Sequence, residues 1–263
     1  MELNILRADP AGNITVFVLD PVEKAQRAAI AEKIMAIPAL KAEQVGYACA
    51  AEDDVDGHME MMGGEFCGNA TRAYGMYIAQ QKGGPSAVRL RVSGCNHVVT
   101  AQVDLKAGTA RAEMPCPRSV RRAAAGGREG TLVDLGGIAH FVVEGAAPSE
   151  AFFYAAEGVF ADIPALDACG VIFLDVERRS MTPLVKVIET GSLVWEGSCG
   201  SGTVACAVAQ SEGMQSGGFS CEYTQPAGKV RASVERQNGR VIAAAIGGPV
   251  ALGEVMCIDL PEA

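Results

Sequence analysis

The 263-residue chain is 49% hydrophobic and 20% charged, enough for one large domain or two small ones, and a net charge of −9 gives no basic surface for nucleic acid. No run approaches the ~18 apolar residues of a membrane span, and the opening "MELNILRADP" mixes charges with no apolar stretch behind them, so a soluble cytoplasmic protein is expected. The nine cysteines are odd in number and contain no CxxC pair, and the three histidines stand far apart, so the thiols read as reduced and no zinc site is expected.

In chain order, residues 15–19 read as a short strand. "DPVEKAQRAAIAEKIMAIP" (20–38) reads as a helix with Asp20 at the cap, Pro21 in the first turn and Pro38 just past the end. "GGEFCGNATRAYGMYIAQQKGG" follows, with Cys67 ahead of a helical run over 68–82 that closes near Gly83. Segments 88–92, 98–103, 131–135, 140–143, 171–175 and 184–188 read as strands. A second cysteine, Cys199 in "WEGSCGSGTVACAVAQSEG", precedes a helical run over 200–212 that ends near Gly213, and 229–234 reads as a further strand. Strands and helices mix without strict alternation, which predicts an α+β fold.

The two cysteine segments echo one another. Placing Cys67 over Cys199 pairs Gly68 with Gly200, Thr71 with Thr203 and Ala73 with Ala205, at a shift of about half the chain. "LRVSGCNHVVTAQV" (90–103) then lies over "CEYTQPAGKVRASV" (221–234), and "AGNITVFVLD" (11–20) over "GGIAHFVVEG" (136–145). A duplicated domain is the economical reading, with domains over 1–117 and 118–263, a junction rich in Pro, Arg and Gly, and last residues free to return to the first domain.

Each thiol therefore sits at a helix N-terminus. Free backbone N–H groups and the positive end of the macrodipole there favour a thiolate, which predicts a pKa lowered toward neutrality. The same N–H groups can hold a carboxylate. Two such starts suit a reaction that needs equivalent groups on opposite sides of one atom, such as inversion at Cα, in which one thiolate removes the α-proton and the opposite thiol returns one. Cys206, nearly two turns beyond Cys199, reads as packing, Trp195 as core or rim, and His140 as a structural hydrogen-bonding group. No Lys follows the final Gly of "GSCGSGT", so a P-loop is not expected.

"GGEFCGNATRA" and "EGSCGSGTVACA" resemble the two signature cysteine segments of the diaminopimelate epimerase-like superfamily of amino-acid racemases and epimerases. "AGN" at 11–13 resembles an early Gly-Asn of that family. The resemblance implies two pseudo-symmetric α+β domains, each a sheet rolled around a central helix, with the active site in the cleft between them. It further implies Cys67 and Cys199 as the acid–base pair, no cofactor or metal, and an α-carboxylate held at Gly68, Asn69, Gly200 and Ser201. Asn13 and Glu189 are implied as substrate contacts, and His140 matches a family histidine. Where diaminopimelate epimerases carry Asn, Asn and Arg, this chain has Ile138, Gly170 and Thr190, so the distal end of diaminopimelate loses its partners, and leaving its carboxylate buried and unpaired costs several kcal/mol.

"GGEFCGNA", "EQVGY" (43–47) and "WEGSCGSG" are instead similar to the histidine racemases of staphylopine-type metallophore synthesis. That similarity implies a small-molecule substrate, L-histidine or a related α-amino acid, with Glu43, and beside it Glu65 and Glu196, near the α-amino group or the imidazole. A diaminopimelate epimerase, a phenazine-biosynthesis-like isomerase using a Glu near the position of Glu43, a proline-racemase-like activity and a non-enzymatic carboxylate binder remain as alternatives. No nucleic-acid or membrane partner is expected, and a homodimer is left open.

Overall fold

The computed structural model describes residues 1–84 and 86–261. The chain divides into two compact units, one made of residues 1–113 with the returning segment from Gly247, the other of residues 114–246. The first unit opens with β1 (Glu2–Asp9), β2 (Thr15–Val18), α1 (Lys24–Met35), β3 (Gln44–Cys49) and β4 (Gly57–Met61). Then come α2 (Gly68–Gln81), β5 (Ala87–Val92), β6 (Val99–Asp104) and β7 (Thr109–Met114). The second unit begins with β8 (Ser119–Ala125), β9 (Arg128–Asp134), β10 (Ile138–Glu144), α3 (Glu150–Ala156), β11 (Ala168–Asp175), β12 (Ser180–Val187) and β13 (Leu193–Trp195). It continues through α4 (Gly200–Gln210), β14 (Gly217–Gln225), β15 (Gly228–Gln237) and β16 (Arg240–Pro249), after which β17 (Ala251–Asp259) rejoins the first unit.

The two units are wired alike. In the first, β17–β1 and β1–β2 are antiparallel, β2–β3 parallel, β3–β4 antiparallel, β4–β5 parallel and β5–β6 antiparallel. In the second, β8–β9 and β9–β10 are antiparallel, β10–β11 parallel, β11–β12 antiparallel, β12–β14 parallel and β14–β15 antiparallel. The α+β fold is thus one strand order used twice.

Alternation along the strands decides what each face covers. Leu6, Ala8 and Phe17 pack with Ala70, Ala73 and Tyr74 of α2, whereas Leu3, Ile5, Val16, Val18, Val45 and Tyr47 pack with Ile30 and Ile34 of α1. β2 is buried on both sides and accordingly reads as the unbroken run TVFV. In the second unit Phe141, Val143, Val171 and Phe173 pack with Phe153 of α3. The intervening face carries His140, which reaches Ser201 of α4, and Ile172, which lies against Gly202.

Each sheet therefore holds a helix on its inner face. α2 packs on β4, β5, β6 and β17, and a Cβ at its Gly75 would lie 2.5 Å from Ala101 Cβ, so glycine sets how closely the helix approaches β6. α4 packs on β9, β10, β11, β14 and β15, and its sequence GSGTVACAVAQ carries no charge, as an enclosed helix requires. Gly83 and Gly213, expected at the helix ends, take φ of 81° and 90°. Cys206 is fully buried with its thiol against Met181 Sδ at 3.8 Å, and Trp195 stacks on Phe173 while staying partly exposed.

The first helix is shorter than its sequence suggests. It begins at Lys24, with Glu23 at the N-cap and no side-chain cap, because Asp20 is spent elsewhere: its carboxylate accepts from the Asn4 backbone N–H (2.6 Å) and from Asn4 Nδ2 (3.3 Å), tying the end of β2 to β1.

Arg72 is the largest fully buried side chain. Its guanidinium donates to Asn69 Oδ1 (3.2 Å), to the Pro10 carbonyl (2.8 Å) and to the Pro249 carbonyl (2.8 Å), joining α2 to the β1–β2 turn and to the end of β16. With no carboxylate bonded to it, burial lowers its pKa to about 10. Arg72→Met should cost about 3 kcal/mol or more, because it strands two buried carbonyls and the Asn69 amide. Urea denaturation followed by circular dichroism will measure the lowered midpoint.

Candidate active site

Cys67 and Cys199 occupy the same local position in their units. Each is the N-cap residue of the central helix in extended conformation, φ −125°, ψ 109° at Cys67 and φ −115°, ψ 109° at Cys199. Each sulfur accepts from a backbone N–H of the first turn, Ala70 N at 3.4 Å and Gly202 N at 3.3 Å. A thiol takes the place that Ser, Thr or Asp usually fills. Each cysteine carbonyl is held by the residue four places on, Thr71 to Cys67 and Thr203 to Cys199, through both backbone and hydroxyl. The Thr pairing in the sequence echo has this structural cause.

The surroundings differ. On the first unit Gln44 Nε2 lies 3.3 Å from Cys67 Sγ, 2.8 Å from Asn13 Oδ1 and 2.8 Å from Thr15 Oγ1, so one amide knits β2, β3 and the helix start together. Asn13 in turn donates to Glu43 at 3.2 Å, and its Oδ1 stands 3.9 Å from Cys67 Sγ. Asn13, Glu43, Cys67, Gly68 and Asn69 are thus linked in one network. Glu43 has an exposed surface, yet groups packed round its carboxylate and the nearby Asp9 charge raise its pKa.

On the second unit Cys199 is buried. Its backbone N–H donates to Gln225 Oε1 at 2.7 Å, Gln225 Nε2 donates to Thr203 Oγ1 at 2.9 Å, and the Ser201 hydroxyl stands 3.5 Å from the sulfur. His140 Nε2 lies 2.8 Å from that hydroxyl. The nearby carboxylate is Glu196, whose charge and hydrogen bond act on the Cys199 thiol. Glu189 lies instead in the exposed turn between β12 and β13, whose strands pair from Lys186–Leu193 to Leu184–Trp195 and carry the chain away from it toward Cys199.

Gln44, Thr15 and Gln225 escaped the sequence reading. Gln44 directly follows Glu43, so a strand assignment over 44–49 would have shown the two side chains leaving opposite faces.

The expected drop in thiol pKa does not occur. Burial raises Cys67, and the N–H groups of Ala70, Gln44 and Asn69 pull it back only in part against the Glu65 charge. Burial raises Cys199 much further, aided by Glu196. The helix start favours the thiolate, but loss of water outweighs it. Cys67 is therefore the easier of the two to ionise. Among the described residues no group of three or more His, Cys, Asp or Glu is placed to hold a metal ion, and no helix is long and apolar enough to cross a membrane.

A sequence profile of the histidine racemase CntK N-terminal domain matches residues 2–255. The chain belongs to that family. A histidine racemase of Fusobacterium nucleatum subsp. nucleatum is 32% identical over 218 residues, 77% of this chain and 78% of the relative. One from Staphylococcus aureus is 26% identical over 76% and 77%. Among solved structures, one described as a predicted epimerase from Pseudomonas aeruginosa superposes with a TM-score of 0.67 at 13% identity over the whole of both chains. A hydroxyproline epimerase from Agrobacterium vitis with bound trans-4-hydroxy-L-proline gives 0.61 at 12% over 98% and 92%; these two show the shared fold. The chain is an isomerase of the amino-acid racemase class.

Because its pKa lies above the ordinary 9.0, the thiolate fraction of Cys67 should rise about tenfold per pH unit from pH 7 to 9. Alkylation of Cys67 by iodoacetamide, followed by peptide mass spectrometry, should climb accordingly without levelling off below pH 8. Glu196→Gln removes the charge that raises Cys199 and should speed alkylation of that thiol at a fixed pH.

Proposed function

We propose that this chain interconverts L- and D-histidine by moving the α-proton between Cys67 and Cys199, without a bound cofactor. The observation that carries the reading is the repeated one: two thiols, one per unit, each capping a buried helix start with matching backbone angles and a matching N–H donor. Family membership supplies histidine as the substrate, since the relatives bear that activity in their names.

In this reading Cys67, the more readily ionised thiol, enters as the base for one enantiomer and Cys199, held protonated beside Glu196, as the acid. The backbone N–H groups at Gly68, Asn69, Gly200 and Ser201 receive the α-carboxylate and the negative charge that develops on it as the α-proton leaves. Asn13 and Glu43, already joined, take the α-ammonium or the imidazole N–H. Glu189, in its exposed turn, is assigned no contact. For the opposite enantiomer the thiols exchange roles. Dehydrated thiolates are strong bases, so the burial that suppresses ionisation in the empty protein also strengthens the base once it forms.

In deuterium oxide the protein should place deuterium at Cα of histidine while racemising it, with no added pyridoxal phosphate or metal, as read by proton NMR and polarimetry. Cys67→Ala and Cys199→Ala should each abolish racemisation. Retained activity in the double variant would end the assignment.

The reading also requires both sulfurs to serve one carbon. A mild oxidant should therefore inactivate the free protein by a Cys67–Cys199 disulfide, reversed by dithiothreitol and blocked by histidine. Tryptic mapping that finds both thiols free after inactivation would contradict it.

A further inference from the structure

His140 is fully buried, and burial holds it neutral, with its pKa pushed down to about 3. One ring nitrogen therefore carries the single proton. Nε2 faces the Ser201 hydroxyl at 2.8 Å, whereas Nδ1 is buried with no hydrogen-bond partner. The register decides what Nδ1 meets: His140 on β10 lies opposite Gly170 on β11, and a Cβ on Gly170 would stand 2.7 Å from Nδ1. The hydrogen that takes the place of that Cβ points at the ring nitrogen. A nitrogen facing a C–H presents its lone pair, since a buried N–H without an acceptor is the costlier arrangement. The proton thus resides on Nε2 and is donated to Ser201 Oγ. With that oxygen's acceptor side occupied, its own proton is free to turn toward Cys199 Sγ, 3.5 Å away.

We propose that His140 is a positioning residue for the second thiol, fixing the Ser201 hydroxyl as a donor to Cys199 whenever that sulfur is a thiolate. The inference rests on the proposed reading, in which Cys199 ionises during turnover. It also gives Gly170 a purpose: the position where the resemblance expects a substrate-binding Asn is the space that seats the imidazole.

The relay touches one thiol and not the other, because Cys67 draws its donors from Gln44 and Ala70. Its loss must therefore be one-sided. Removing the donor should slow the step in which Cys199 is the base, which handles one enantiomer, and leave the Cys67 step as it was. His140→Leu should lower kcat about tenfold for that enantiomer, the expected size for a hydrogen bond to a charged group. The primary isotope effect on α-deuterated histidine should rise for that enantiomer alone, the same one for which Cys199→Ser raises it.

His140→Gln, whose amide can place an N–H near the position of Nε2, should restore most of the rate and the symmetry. Ser201→Ala should reproduce the one-sided isotope effect, and adding His140→Leu to it should change nothing further. Should His140→Leu not fold, Ser201→Ala carries the test. Equal isotope effects for both enantiomers in His140→Leu or Ser201→Ala, or failure of a folded His140→Gln to restore symmetry, overturns the proposal while leaving the two-cysteine reading intact. Undiminished α-hydrogen exchange in Cys199→Ser would instead overturn the two-cysteine reading itself.

Discussion

A helix that begins inside a sheet must do something with its first N–H groups, and in both units of this protein part of the answer is sulfur. A serine cap would satisfy Ala70 N or Gly202 N at least as well. A thiol does so weakly while keeping a proton it can give up. Much of the surrounding sequence follows from placing that group in the interior. The helices must be small and uncharged to be enclosed, Gly75 and Gly202 must let the sheet approach, and Thr71 and Thr203 must anchor the cysteine carbonyls so that the cap angles hold.

The repeated frame is furnished differently on its two sides. Around Cys67 the groups are amides and N–H donors, which favour the ionised sulfur; around Cys199 a carboxylate favours the protonated one. A racemisation has no preferred direction at equilibrium, but the resting protein needs a definite arrangement of one base and one acid. Two identical thiols would leave that proton's place undecided. Gene duplication supplies the matching geometry, and divergence of the neighbours supplies the polarity.

Much of this was legible from residues alone, for identifiable reasons. The cysteine segments were readable because a cap, a glycine-tolerant close approach and an apolar helix all leave local marks, and the two copies reinforce each other. Strands such as 15–18 and 171–175 announced themselves as β-branched and aromatic runs. β1 and β17 did not, since each carries acidic residues on an exposed face and depends on pairing with the other, far away in sequence. α3 was missed because seven residues give little periodicity, although Ser149 caps it by accepting from Phe152 N.

The site was read less completely than the fold. Gln44 and Gln225 act through strand register, which a single sequence does not display, and the direction of the thiol pKa shifts depends on burial, which no motif encodes. Asp20 shows the converse error: a residue with a good capping signature was recruited by a neighbouring strand instead.

Arg72 has one last implication, for the order in which the molecule can assemble. Residues 114–246 form their unit from one uninterrupted stretch, so that stretch holds all its own partners as soon as it leaves the ribosome. The earlier-born unit does not. Its buried guanidinium lacks the Pro249 carbonyl, and β1 lacks β17, until the nascent chain has grown past the whole of its sibling. The half synthesised first is therefore the half completed last.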